Sequence, residues 1–497
     1  MNGASNICDY FKQKTVLITG ATGFVGKLLV EKILRTCDVN KMYVTMRPKK
    51  NKSIYQRMEE YFENPIINAD IGLPNLGISE TDRKMIIEEV NIVFHSAATT
   101  RFDETLRIAS YVNVRGTLEM MKLCTEMENL RVSVVLVEDI PNYLLFQSVV
   151  HVSTAYSFCV QSKIEEKCYK SHLQGADLLN IVDTLDDEKL DVIKPLLLKQ
   201  WPNTYVFTKS IAENVVWEYY DILPIGMVRP SIITATVCDP VPGWVDNLIG
   251  ATGVFVGTLL GVIRTMKCRS DYIADLVPAD HVVNCMIATA TMVHKNRENQ
   301  NEGRGIYNCI TSCQRPLTWG ECSAFGAKHA DKIPSTMAIW SVIFLPSSHS
   351  YLYLLLHFIL HVVPAYVIDF FCICVGKKPQ LVKGYQKIAK LLNVIGYFAT
   401  RQWNFSNSNT QELWASLSDH DKERYNFDAG SIDWNTYFYH YVYGGRIYLL
   451  KEPLDTVPQA RIKQRKLKIT HYTLMIIITM FLAYSAKCIC SGLLMNL

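Results

Sequence analysis

Thr15-Val16-Leu17-Ile18-Thr19-Gly20-Ala21-Thr22-Gly23-Phe24-Val25-Gly26 decides the fold of this chain. Thr15–Thr19 reads as a buried strand, and three glycines spaced by three lead from it into a helix expected from Gly26 to Thr36. Gly20 permits a tight turn, Gly23 lets backbone approach a pyrophosphate, and Gly26 lets helix and sheet pack closely. The helix N-terminus then faces the phosphates. A glycine-rich loop alone is a weak signal; between a strand and a helix it is a strong one. The reading predicts dinucleotide contacts from Thr19, Gly20, Thr22, Gly23, Phe24, Val25 and Gly26.

Outward from this motif, short apolar runs alternate with helical patterns, which argues for βαβ units and a parallel sheet. Strands are expected at Lys41–Met46, Asn91–Ser96, Val149–Ser153 and Ile225–Val228, and helices at Thr117–Met127 and Tyr205–Tyr220. The fold class is therefore α/β: a Rossmann-type doubly wound parallel sheet. From about Gly303 the pattern becomes mixed and aromatic-rich, with helical stretches at Tyr385–Gly396 and Asn409–Leu417. This predicts a C-terminal, mostly helical domain. The expected blocks are 1–302 for cofactor binding, 303–351 as linker, 352–455 as the helical domain and 467–486 as a transmembrane helix.

At the end of the second strand an NAD enzyme places a carboxylate on the ribose. Here stand Met46-Arg47-Pro48-Lys49-Lys50. Arg47 and Lys49 can pair with a 2′-phosphate that a carboxylate would repel, so the cofactor expected is NADPH. Asp70 and Ile71 are expected at the adenine. Ser96, Ala97 and Ala98 provide small residues where backbone passes close to the cofactor, and Pro230, closing the Ile225 strand, completes the set.

Tyr205-Val206-Phe207-Thr208-Lys209 supplies chemistry. A Tyr and a Lys four apart share one face of a helix. A phenol near its reference pKa is a poor acid–base at neutral pH, and the Lys209 charge both favours phenolate and can hold the nicotinamide ribose. Thr154, with Ser153 as an alternate, offers a second hydroxyl to a developing oxyanion. Singly these residues have bland readings in packing and surface charge. Their order along the chain makes them a reaction centre for carbonyl reduction.

With 497 residues, a formal charge of +4 and 15 cysteines, the chain exceeds one domain and carries no polybasic field for nucleic acid. The cysteines lack Cys-x-x-Cys pairs and read as reduced thiols, with no metal site expected. Met1–Lys14 is polar, so no signal peptide is read there. Leu467–Ala486 is long and apolar enough to span a bilayer. Arg461, Lys463, Arg465, Lys466 and Lys468 lie around its start, which predicts a tail anchor with the catalytic part cytosolic, on peroxisome or endoplasmic reticulum. Leu352–Val375 is also apolar but contains His357, His361, Pro364 and Asp369, which leaves a buried helical hairpin, a re-entrant segment or a true span open; a membrane-associated, non-spanning element is favoured.

The strings Thr19–Gly26, Met46-Arg47-Pro48-Lys49, Val93-Phe94-His95-Ser96-Ala97-Ala98, His151-Val152-Ser153-Thr154-Ala155-Tyr156 and Trp201-Pro202-Asn203-Thr204-Tyr205 together resemble the fatty acyl-CoA reductases. So do Val228-Arg229-Pro230-Ser231, Pro242-Gly243-Trp244-Val245-Asp246-Asn247 and Asp275-Leu276-Val277-Pro278. Leu352–Leu450 looks like that family's helical "male sterility" domain. The resemblance implies reduction of long-chain acyl-CoA by two NADPH to a fatty alcohol and CoA, through a bound aldehyde, at a lipid membrane. Two departures stand out. An added stretch, Arg131–Ser148 with a strand-like run Val132–Val137, precedes the Ser153-Thr154 strand, and residues are missing between the helix Ser53–Phe62 and the strand near Ile66. Alternative readings are a membrane-bound hydroxysteroid-type extended reductase and a catalytically impaired member of the acyl-CoA reductase family.

Overall fold

Seven runs of mostly β-branched and aliphatic residues pair into one sheet in the computed structural model, which describes residues 6–47, 66–135, 146–298 and 305–494. They are β1 (Thr15–Thr19), β2 (Lys41–Met46), β3 (Ile66–Asn68), β4 (Ile92–His95), β5 (Ser148–Val152), β6 (Ile225–Pro230) and β7 (Gly305–Cys309). Their spatial order is β3-β2-β1-β4-β5-β6-β7, and every pairing is parallel. Parallel strands need helical crossovers, which cover both faces of the sheet and favour continuous apolar runs. In β1 every residue is buried.

The register line Tyr43, Leu17, Val93, Val149 and Ile225 crosses five strands. All five lie in one core cluster, joined by Met120, Leu123 and Met127. A one-residue slip would turn that row to the other face of the sheet. Each such side chain contributes roughly 1.5–3 kcal/mol by leaving water.

Four helices frame the sheet: α1 (Phe24–Thr36), α2 (Gly116–Val135), α3 (Thr204–Glu218) and α4 (Ala279–Glu298). α2 supplies Met120 and Leu123 to the cluster above, while α3 places Phe207, Ile211 and Val215 in a second one with Leu178 and Val182. The strand order reverses between β1 and β4, and ligands of such sheets bind at the carboxyl ends beside that point.

The expected elements recur with shifted bounds. α1 starts two residues earlier than Gly26, because Gly23 already takes the cap position. α2 runs past Met127 to Val135, so Val132–Val135 are helical rather than strand-like. The rest of that run, Lys49 and the helix expected at Ser53–Phe62 lie outside the described residues. Despite the added stretch before it, β5 is seated between β4 and β6, with Val149 opposite Val93 on one side and Ile225 on the other.

The chain divides into two compact units. One comprises Met1–Pro242, Ile273–Leu317 and Arg401–Ile432; the other comprises Gly243–Tyr272, Thr318–Thr400 and Asp433–Leu497. These units interleave along the chain, whereas the sequence reading divided it into consecutive blocks. In the first unit, 401–432 returns to α1: the fully buried Tyr425 meets the Cys37 thiol at 3.3 Å, and Lys32 donates to the Arg424 carbonyl at 2.6 Å. The second unit is helical. Phe255 of Ala251–Leu259 stacks on Tyr441 of Trp434–Gly444 with centroids 4.6 Å apart, and Phe325 of Trp319–Lys332 stacks on Phe438 at 5.7 Å. Ser350–Cys374 is one helix with a π turn at Phe358–Val362, not a hairpin.

Candidate active site

The glycine turn closes onto the end of β4. Gly20 has φ +76°, a conformation that favours glycine, and a Cβ there would stand 2.8 Å from the Ala97 nitrogen. A Cβ on Gly26 would stand 2.1 Å from the Gly20 carbonyl oxygen. Side-chain-free backbone is therefore required at both positions, and a cradle results at the N-terminus of α1. Gly23, the cap residue, brings no side chain of its own over that terminus. The Thr19 hydroxyl ties β1 to β4 through the His95 ring at 2.9 Å and the Ala97 N–H at 3.2 Å, while Ser96 donates to the Thr19 carbonyl at 2.7 Å. The turn is rigid on the side a pyrophosphate would approach, and these residues fit a nicotinamide dinucleotide.

The other expected cofactor residues follow strands on the same edge. Arg47 is exposed directly after β2, and Asp70 and Ile71 follow β3. The Asp70 carboxylate accepts the Gly72 N–H at 3.1 Å and so shapes its own loop. Ser96, Ala97 and Ala98 follow β4, and Pro230 is the last residue of β6.

Ser153 and Thr154 follow β5, while Tyr205 and Lys209 lie on the first turns of α3. Asn203 caps that helix by accepting the Val206 N–H at 3.0 Å, which fixes where Tyr205 begins. The Tyr205 ring packs on Phe102 with centroids 5.9 Å apart. Burial pushes its phenol up to about 12, although a hydrogen bond with the Thr154 hydroxyl works the other way. Lys209 is buried, and its ammonium donates to the Val152 carbonyl at 2.8 Å with His151 Nε2 at 3.4 Å. Burial lowers it to about 8, opposed by the Glu213 carboxylate. The His151 and His95 rings are held neutral by burial and by Lys209.

Residues not singled out in the sequence hold this centre. Glu213, one turn beyond Lys209, accepts from Arg229 Nη2 at 2.6 Å and Nε at 3.1 Å, from Ser157 at 2.7 Å and from Ser153. The hydroxyl of Ser153 is thus donated to Glu213, while the Thr154 hydroxyl, which accepts the Tyr156 N–H at 3.2 Å and faces the Pro230 carbonyl at 3.5 Å, is the one that acts on the phenol. The π turn Tyr111–Arg115 leads into α2; within it Asn113 donates to Thr208 at 2.9 Å and to the Thr99 carbonyl at 3.3 Å, and accepts the Thr99 N–H at 2.9 Å. A Glu spaced four from Lys209 was the available signal for Glu213. Asn113 carried none, because a π turn has no simple sequence signature.

Residues 18–286 match a family model of the NAD-binding type described as "Male sterility protein", and residues 360–452 match a second model, Sterile, with the same description. The chain is 37% identical over 481 residues to the Drosophila melanogaster protein named fatty acyl-CoA reductase wat, covering 93% of this chain and 89% of that one. It is 34% identical to Homo sapiens fatty acyl-CoA reductase 1, covering 94% and 90%. Among solved structures, the terminal R domain of the myxalamid biosynthetic pathway aligns at a TM-score of 0.53 and 18% identity, covering 91% of this chain and 93% of that one. The reductase domain of a Mycobacterium tuberculosis nonribosomal peptide synthetase gives 0.53 at 15%, covering 90% and 96%. At such identities the two structures speak for the fold: a parallel Rossmann-like sheet with a helical C-terminal region.

Proposed function

This chain belongs to the fatty acyl-CoA reductase family, and from that premise we propose that it is an NADPH-dependent, alcohol-forming reductase of long-chain fatty acyl-CoA held at a membrane. The observation carrying the reading is the grouping of Tyr205, Lys209 and Thr154 on the sheet edge that also bears the glycine turn. The hydroxysteroid-type alternative shares that turn and Tyr205/Lys209, but has no counterpart to the family matches in both halves of the chain. The exposed Arg47 after β2 favours a 2′-phosphate.

When bound, the nicotinamide cofactor supplies hydride, and two hydrides with two protons take an acyl thioester to alcohol and CoA. The residues do the rest. With its pKa raised, Tyr205 stays protonated at neutral pH and donates to the oxygen that gains charge. Thr154 is placed to share that load. Lys209, mostly protonated at neutral pH, points its ammonium at the Val152 carbonyl rather than lowering the phenol, whose pKa burial raises; its charge is available to a nicotinamide ribose. Loss of CoA leaves an aldehyde, and Tyr205 delivers the proton that completes the alcohol.

For the membrane, the last helix, Val457–Leu494, exposes Ile469, Tyr472, Ile476, Met480, Phe481 and Tyr484. Such a surface is costly in water and at home in lipid, which supports a tail anchor at Leu467–Ala486. The test is direct. Membranes containing the full chain, given NADPH and a long-chain acyl-CoA, should accumulate fatty alcohol, and Tyr205→Phe membranes should not. Turnover of a sterol in place of acyl-CoA overturns the reading, as does full activity in Tyr205→Phe.

A further inference from the structure

The helix Ser350–Cys374 has 25 residues, about 37 Å at 1.5 Å per residue, so length alone would let it span a bilayer. Its side chains argue otherwise. Tyr353, His357, His361, Ala365 and Asp369 recur every four residues, and all but the half-buried His357 are buried. A spacing of four drifts around a regular helix, and the wider π turn at Phe358–Val362 resets the phase.

This stripe is fastened along its length to its own unit. His361 Nε2 accepts the Arg264 N–H at 2.9 Å, and its ring stacks on Tyr385 at 5.0 Å. Asp369 accepts the N–H groups of Gln380 and Leu381 at 3.0 Å and of Val382 at 2.9 Å, which caps the helix Leu381–Ala399. A span across the bilayer would drag that second helix and Arg264 into hydrocarbon. The opposite side exposes Leu352, Leu355, Phe358, Ile359, Phe370 and Phe371.

Charge completes the pattern. Between Gly376 and Thr400 the sequence holds Lys377, Lys378, Lys383, Lys387 and Lys390 and no Asp or Glu. All five are exposed, and the last three share one face of their helix, away from the buried Tyr385, Leu392 and Ile395. An apolar helix face followed by an unopposed basic cluster matches an anionic bilayer surface: side chains enter the acyl boundary while lysines meet phosphates.

We propose that Ser350–Cys374 lies in the plane of a membrane, apolar side inward, and that the lysines from Lys377 to Lys390 dock it on anionic lipid headgroups. This rests on the membrane setting proposed above and adds the lipid class and the element that reads it.

Full-length protein in phosphatidylcholine vesicles, with or without about 30% phosphatidylserine, is photolabelled with a lipid carrying a diazirine near its headgroup. Labels should fall along the whole of Tyr351–Val375 and increase with phosphatidylserine. Each lysine near the surface is worth about fivefold in affinity. Replacing all five by Gln should abolish the phosphatidylserine dependence, and Lys383→Gln with Lys387→Gln should weaken it. Labelling confined to the two ends of the helix means it spans, and the proposal fails. It fails too if the helix stays unlabelled while 467–486 is labelled, or if the five-Gln protein keeps its phosphatidylserine dependence. Labels on 350–375 with none at either end of 467–486 would sink the tail anchor and leave this proposal standing.

Discussion

Glu213 and Arg229 form a buried pair with two parallel contacts, Nη2 to Oε2 at 2.6 Å and Nε to Oε1 at 3.1 Å, each side chain about 1% exposed. Arg229 also donates to the carbonyls of Glu165 at 3.2 Å and Lys167 at 3.0 Å. The pair joins α3 to β6 and, through Ser153, to the chain leaving β5. It therefore sets the distance between the Tyr205 helix and the Thr154 strand.

Removing one partner leaves a buried charge uncompensated. Arg229→Met should lower the unfolding free energy by about 3–5 kcal/mol, read from urea denaturation. The double change Arg229→Met/Glu213→Leu should recover part of that loss, since no lone charge remains. A loss in the double variant equal to the sum of the single ones would show that the pair is not coupled.

Tyr205→Phe keeps the ring against Phe102 and removes the donor, so turnover should fall by about 10²–10³ or more. Lys209→Ala should fall comparably, and Thr154→Ala less. Ser153→Ala separates the two hydroxyls: its partner is Glu213, so it should cost stability with little change in kcat. Steady-state kinetics and thermal melts on the same preparations decide the matter.

The pH profile should carry Lys209. Its folded pKa is lowered to about 8, so the buried ammonium at the Val152 carbonyl is lost, and acyl-CoA reduction falls, as pH rises through about 8. Stability moves the other way. Between about 8 and the ordinary value of 10.5 the unfolded chain binds more protons than the folded one, so stability rises with pH across that window. Lys209→Met should remove both trends, measured by initial rates and by denaturation at pH 7 to 10.

Arg47→Ala should weaken NADPH binding by about ten- to a hundredfold, the worth of a charge-assisted contact, and leave NADH nearly unchanged. Fluorescence titration with each cofactor checks this. Equal weakening of both would assign Arg47 to a different contact.

The glycine turn and the main strands were legible because local rules govern them: an L side chain cannot occupy Gly20 or Gly26, and apolar runs between turns mark buried strands. Tyr205 and Lys209 were singled out by the order of glycine turn, Ser153-Thr154 and Tyr-x-x-x-Lys, since a helical spacing of four alone is common. Glu213 with Arg229 and Asn113 with Thr208 were not, since each joins residues 16 or 95 positions apart through tertiary packing. The same holds for 401–432, whose aromatic residues gave no hint that Tyr425 packs beside Cys37 on α1. Polar residues within Leu352–Val375 looked like a cost at bilayer depth until their common spacing of four met partners on a neighbouring helix.

The interleaving of the first unit bears on how the chain is made. Its sheet waits for β7 at Gly305–Cys309, and its α1 surface waits for Arg401–Ile432. Domains ordinarily fold as units while the N-terminal part emerges first. Here the cofactor-binding half stays incomplete until nearly the entire polypeptide has left the ribosome. The exposed apolar helix Val457–Leu494 follows within a few dozen residues, so on the tail-anchor reading proposed above, folding of the first unit and delivery of that helix to lipid compete in time. A nascent chain stalled before Arg401 should expose Cys37 to alkylation, and release of the full chain should protect it.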